Sequence, residues 1–144
     1  MMVELASVTA TIDGYAHVIW DVLMDFGHPE RLAPTIESTE LIGAGEGAVR
    51  IVKSSRGLEI HEKLIACDLA NYCFRYVILD SGDMPFAGVQ SYDCTVVLTP
   101  LSDSSTEVFW RSEGEIDGPI EPIRAFLAGL YVNAIKQISV QLDG

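Results

Sequence analysis

No cluster of basic residues occurs anywhere in this chain. Nine Lys and Arg stand against 21 Asp and Glu, for a formal net charge of −12. Surfaces that bind nucleic acid are built from Lys and Arg patches that displace counterions, so this deficit argues against a nucleic-acid partner. It argues equally against anionic membrane surfaces. Long apolar runs are missing too: no stretch reaches the roughly 20 residues of a spanning helix, so no membrane insertion is expected. Cysteine is scarce. Cys67, Cys73 and Cys94 are odd in number and show no C-x-x-C spacing. Neither a disulfide framework nor a zinc site follows from them, and reduced thiols point to a cytoplasmic setting. The chain meets an acidic residue already at Glu4 and has no basic segment ahead of an apolar one, so its start does not read as a signal peptide. His17, His28 and His61 lack ligand spacing, and no metal is expected. The glycine-rich stretch Gly43-Ala44-Gly45-Glu46-Gly47 lies between strand-like runs and carries a glutamate where phosphate would sit. It reads as a turn, not a nucleotide loop. No serine sits in a nucleophile elbow, and no cofactor is expected.

What is present is the material of a core. The 144 residues are 49% hydrophobic, enough for one domain over residues 1–144 that buries roughly two thirds of its unfolded surface. Residues 3–12, rich in Val, Thr and Ala, read as a strand. Asp13 is placed as the N-cap of a helix that runs to about Phe26 and stops at Gly27. Its buried stripe is Ala16, Ile19, Trp20 and Leu23. A short helical turn at 28–32 precedes Pro34. Six strand-like runs follow, at 36–42, 48–54, 58–67, 72–79, 89–98 and 107–116, split by turn residues mostly close enough for hairpins. Gly118-Pro119 opens a final helix reaching Leu142, with Pro122 in its first turn. Ile123, Leu127, Leu130, Tyr131, Ala134, Ile138 and Leu142 share its apolar face, opposite Gly129 and Lys136. This order predicts an α+β fold: a seven-stranded curved antiparallel sheet wrapped around a long C-terminal helix, with two short helices after strand 1.

One charge stands out. Along residues 58–67 the charged run Glu59, His61, Lys63 marks the wet face, which puts Leu58, Ile60, Glu62, Leu64 and Ala66 on the dry one. A carboxylate among apolar side chains needs a partner or a task. If Ser55-Arg56-Gly57 forms the turn, Ser54 pairs with Leu58, Val52 with Ile60 and Arg50 with Glu62 on the inner face. A two-residue turn would slip the register and break the pair. Glu62 and Arg50 are therefore candidate catalytic residues, with Glu62 as general acid or base. Alternatively the pair anchors a polar group of a ligand, or it is an ion pair that fixes the register.

The same parity argument gives a lining. Arg75 marks the outside of its run, leaving Tyr72, Phe74, Tyr76 and Ile78 inside. Ser91, Asp93 and Thr95 mark the next, leaving Gln90, Tyr92, Cys94, Val96 and Leu98 inside. Glu107, Arg111 and Glu113 leave Val108, Trp110 and Ser112 inside. Tyr72, Tyr76, Tyr92 and Tyr131 bring more hydroxyls to one interior than an inert core requires. Apolar walls with a few convergent polar groups suit a small-molecule site. A core whose hydroxyls reach backbone or water is the other reading. The loop at 80–88 places Met84, Pro85 and Phe86 where polar residues are usual. Either it is a lid hinged at its glycines, or Met84 and Phe86 pack on the last helix.

Several pieces together carry a family likeness. They are His17-Val18-Ile19-Trp20-Asp21-Val22-Leu23, Gly47-Ala48-Val49-Arg50, Ile60-His61-Glu62-Lys63-Leu64, the strand from Tyr72 to Ile78, Met84-Pro85-Phe86, and Thr106-Glu107-Val108-Phe109-Trp110. In this order the chain resembles the helix-grip superfamily of START lipid-transfer and birch-pollen-allergen-like proteins. Within it the chain is most similar to the bacterial polyketide cyclase/dehydrase-like (SRPBCC) group. A tryptophan expected near Leu32 in many relatives is missing, which bears on the mouth of the cavity. The resemblance implies a cavity for a hydrophobic or aromatic small molecule between the C-terminal helix and the sheet. Tyr72, Phe74, Tyr76, Met84, Phe86, Gln90, Tyr92, Trp110 and Tyr131 are its expected ligand-binding residues. Carriers, sensors, cyclases and aromatases share this frame, so a polyketide cyclase or dehydratase using acid–base chemistry stays open beside simple binding. A third reading is a protein-binding module or homodimer seated on Val132 and Val140 of the last helix.

Overall fold

A computed structural model describes residues 1–143. Seven strands form one antiparallel sheet: β1 (Val3–Asp13), β2 (Ile36–Ile42), β3 (Val49–Ser54), β4 (Glu59–Asp68), β5 (Cys73–Ile78), β6 (Asp93–Ser102) and β7 (Ser105–Gly114). Their spatial order is β1-β7-β6-β5-β4-β3-β2, so β1 and β2 are the edges. Helix α1 (Ala16–Met24) and a 3₁₀ turn (Pro29–Arg31) separate β1 from β2, and helix α2 (Glu121–Asp143) closes the chain. Irregularities at Glu4/Ala6, Ile36/Ser38, Leu64/Ala66 and Pro100/Ser102 interrupt the ladders. Each such bulge bends its strand and adds twist, which is how the sheet's inner face comes to enclose α2. Leu127, Tyr131, Ala134, Ile135 and Ile138 of that helix join Leu5, Val96, Val108 and Trp110 of the sheet in one core.

The helix-grip architecture follows the order of elements read from the sequence, with local corrections. Asp13 belongs to β1, and the residue capping α1 is Tyr15, without a side-chain hydrogen bond. Helix α1 ends at Met24 rather than Phe26, and Asp25 follows it as C-cap. The stripe Ala16, Ile19, Trp20, Leu23 is buried as its spacing predicts. On α2, Leu130 is exposed and Ile135 takes its place in the core. Strand β6 begins at Asp93, four residues later than expected, and Val89 makes an isolated bridge to Ile116. No helix is long and apolar enough to cross a membrane among the described residues.

Candidate functional site

The β3–β4 hairpin builds the first wall of a cavity. Its turn is Ser55-Arg56-Gly57, with Gly57 at φ +84°, a left-handed conformation that glycine adopts without a Cβ clash. The Ser54 hydroxyl accepts from the amides of Arg56 (3.3 Å) and Leu58 (3.2 Å), and the Ser54 amide donates to Leu58 O at 3.0 Å. That local chemistry fixes the register: Val52 lies opposite Ile60 and Arg50 opposite Glu62. Arg50 Nε donates to Glu62 Oε1 at 2.7 Å, with the two side chains 11% and 14% exposed. The guanidinium stands 4.0 Å from the Phe26 ring centroid and 5.2 Å from that of Tyr76. Its Nη1 also donates to Phe26 O at 3.3 Å. A carboxylate, a carbonyl and two aromatic faces take the place of the water this guanidinium loses on burial.

The second wall is aromatic. Phe74 and Tyr76 of β5 stack at 6.3 Å, and Tyr76 lies 6.3 Å from Tyr92. Trp110 of β7 stacks on Tyr131 of α2 at 5.6 Å and 17°. The Tyr92 and Tyr131 hydroxyls meet at 2.5 Å, and Tyr131 donates to Ser112 Oγ at 2.6 Å. Burial pushes the phenol pKa of Tyr76 and Tyr92 well above the ordinary value, and that of Tyr131 upward too. Burial likewise lifts the Cys94 thiol to about 12, although the Tyr76 and Tyr92 hydroxyls oppose the shift. This interior disfavours negative charge.

Between the walls lies a cavity of about 440 Å³, inside the range of roughly 300–1,000 Å³ typical of small-molecule sites. Arg50, Glu62, Phe74, Tyr76, Phe86, Tyr92, Trp110 and Tyr131 all border it, so most of the residues singled out in the sequence come together. Three do not. Gln90 is exposed, because the regular strand starts only at Asp93 and Val89 turns inward instead. Tyr72 precedes β5 with φ +48° and packs edge-on against Trp20, outside the cavity. Met84 packs against the core without bordering the cavity, unlike its neighbours Pro85 and Phe86.

The parity argument also fails beyond Leu64. The irregularity at Leu64/Ala66 turns Cys67 inward, opposite buried Phe74, where its thiol lies 3.5 Å from Met24 Sδ. Asn133 and Phe26 border the cavity and were missed. Nothing in the apolar spacing of the last helix singles out Asn133, and Phe26 stands at the expected end of the first helix. Phe26 did carry a signal, a large apolar residue just before a glycine.

The 80–88 loop is tied down along its first half. Asp83 N donates to Glu59 O (2.7 Å), Glu59 N to Asp83 Oδ2 (2.8 Å), and His61 Nδ1 meets Ser81 Oγ at 2.8 Å. Gly82 is not a hinge: a Cβ there would stand 2.7 Å from Glu59 O, so glycine permits a close approach. Phe86 packs against Tyr92 at 5.3 Å and against Phe126 of α2 at 6.1 Å. Among the described residues, no three His, Cys, Asp or Glu side chains gather as metal ligands would.

Known proteins share this frame. Ara h 8.0201 matches with a TM-score of 0.84 at 16% identity, over 100% of both chains. Norcoclaurine synthase from Thalictrum flavum, solved in complex with dopamine and hydroxybenzaldehyde, gives 0.79 at 22% identity, over 99% of this chain and 87% of that one. Zhui aromatase/cyclase from Streptomyces sp. R1128 gives 0.78 at 15% identity, over 99% and 94%. At such identities the likeness establishes a common fold and leaves ligand and reaction undetermined. No curated protein matches the sequence. The family described as polyketide cyclase / dehydrase and lipid transport matches residues 5–141. With nearly the whole chain accounted for, the protein belongs to that polyketide cyclase/dehydrase and lipid transport family.

Proposed function

We propose that the protein binds a small apolar or aromatic molecule between α2 and the sheet, with the Arg50–Glu62 pair holding a polar group of that molecule. The observation that carries the reading is unfilled space of about 440 Å³ bordered by a dry, partnered charge pair. A pair kept only for sheet register would be served by packed neighbours, since apolar replacement of a buried ion pair is commonly neutral or stabilising. Here the neighbours leave a void. The aromatic walls supply area, and the guanidinium N–H groups not used by Glu62 and Phe26 supply direction. The free thiols of Cys67, Cys73 and Cys94 fit a reducing compartment such as the cytoplasm.

A second reading keeps the cavity and adds acid–base chemistry. It is favoured by Glu62 itself, a carboxylate that borders the cavity with its Oε1 held by Arg50. Such a group can exchange a proton with a bound molecule while the arginine holds its orientation.

Native mass spectrometry of the protein purified from cells tests the proposal. A co-purifying small molecule that leaves on denaturation is the expected result. Turnover of that compound by the wild type, lost in Glu62→Gln while binding persists, selects the enzyme. A clean apo mass, together with no binding of apolar or aromatic probes, contradicts both.

A further inference from the structure

The helix side of the cavity carries a polar group with nothing to bind. Phe126, Leu130 and Asn133 of α2 border the cavity, and their i, i+4, i+7 spacing sets them on one helix face. Phe126 and Leu130 are apolar; Asn133 ends the stripe with a carboxamide. Asparagine is a poor residue for a helix interior, because its side chain competes for backbone groups. Elsewhere on α2 polar side chains are engaged: Arg124 donates to Glu121 and to Glu4 O, and Tyr131 bonds Tyr92 and Ser112. The Asn133 carboxamide makes no hydrogen bond among the described residues. It is half-buried, yet its polar atoms are not sealed off as the indole Nε1 of Trp110 is. The other polar side chains around the cavity are engaged or wet. Asp25 holds Arg31, His28 holds Glu30, Ser54 holds its own turn, and the Tyr76 hydroxyl lies beside the Cys94 thiol. Thr35 and Arg56 are exposed, where water serves them. A molecule filling the cavity strips water from Asn133, and an amide so dried is costly unless a new partner replaces that water.

We propose that Asn133 is a specificity-determining residue: it recognises a second polar group of the ligand, a hydroxyl or a carbonyl, from the helix side, while the Arg50–Glu62 pair takes the first from the sheet side. This rests on the binding reading above and narrows its ligand to an aromatic or apolar molecule with a polar group at each end. The second group is neutral, because a carboxamide offers a donor and an acceptor but no charge to offset an ion's lost water. An apolar molecule with a single polar end is selected against, since it leaves Asn133 both dried and unpaired.

A matched pair of probes tests this role: 2,6-dihydroxynaphthalene, and 6-methyl-2-naphthol in which a methyl replaces one hydroxyl. Each competes with the neutral dye N-phenyl-1-naphthylamine for the wild type and for Asn133→Leu, which keeps the branched shape and removes the amide. The expected result is about fivefold weaker diol binding in the variant, with less than about a twofold loss for the methylnaphthol. The variant's urea midpoint should equal or exceed that of the wild type, because leucine is the better helix former. Asn133→Ala takes its place if the leucine variant does not fold. In ¹⁵N-labelled wild type, the Asn133 side-chain amide signal, identified by its absence from the variant, moves with the diol and not with the methylnaphthol. Equal losses for both probes, with or without a lowered midpoint, mark Asn133 as structural and overturn the proposal. Undiminished diol binding in the variant, or an amide signal indifferent to the diol, overturns it too. A dye that binds while neither probe displaces it overturns the role of Asn133 and leaves the binding reading standing. Failure of all three to bind overturns both.

Discussion

Glu62 occupies an apolar wall because Arg50 lies directly opposite and Phe26 and Tyr76 flank the guanidinium. The pair is worth more as a pair than its parts suggest, since removing one partner leaves the other buried and uncompensated. Glu62→Gln should therefore cost about 3 kcal/mol of stability in urea unfolding. The double replacement of Arg50 by Met and Glu62 by Leu should recover to within about 1 kcal/mol of wild type. It should also lose the polar selectivity of the cavity. Equal destabilisation by the single and the double change would contradict the account. At this scale the alternation of residues 58–64 was legible, because strand parity needs only a correct strand. Gln90 and Tyr72 were not. Gln90 fell to a start of β6 at Asp93 instead of residue 89, and Tyr72 to a left-handed residue at a strand entrance that no composition rule marks.

Among the elements, the β3–β4 hairpin carries the argument. Its register depends on a three-residue turn, Ser55-Arg56-Gly57, held by the Ser54 hydroxyl and by glycine at φ +84°. Replacing Gly57 by Val, a β-branched residue that resists φ +84°, should break this turn and let the hairpin re-form around a two-residue turn, one residue out of register. The expected outcome is loss of the Arg50–Glu62 contact and a cost of several kcal/mol, near the about 3–5 kcal/mol of a broken buried pair. Cross-strand Hα contacts by NMR would read the register, and an unchanged Arg50-to-Glu62 pairing would contradict the turn's role. The turn was legible because serine and glycine at those positions have defined backbone roles. The irregularity that turned Cys67 inward was not, because a bulge depends on neighbouring strands rather than on its own residues. The 80–88 loop was half legible. Its apolar tip reaches the cavity through Phe86, but its first half is tied to β4 by Asp83 and Ser81.

For the whole molecule, the interior's aversion to negative charge sets a pH limit. Folded Cys94 keeps its proton to about pH 12, whereas an unfolded thiol releases it near pH 8.5. The group's pKa is raised on folding, so its contribution is complete below the unfolded value and is lost as pH rises toward the folded one. Stability should decline above about pH 9, and Cys94→Ala should reduce that slope by about 1.4 kcal/mol per pH unit before the tyrosines titrate near pH 10. An unaltered slope in Cys94→Ala, followed by chemical denaturation across this range, would contradict the buried, protonated thiol. The fold as a whole was readable because seven strands and one long apolar-faced helix have few ways to cover each other. The size of the cavity was not, since it is the residue of packing among elements rather than a property of any one.

The central claim is that the space between α2 and the sheet is an accessible binding site. Titration with N-phenyl-1-naphthylamine tests it most directly, comparing wild type with Ile60→Trp, which places a large side chain into the cavity from β4. The account predicts saturable one-to-one binding with enhanced, blue-shifted emission in the wild type, and its loss in a folded Ile60→Trp variant. Undiminished binding in that variant, or none in the wild type, would contradict it.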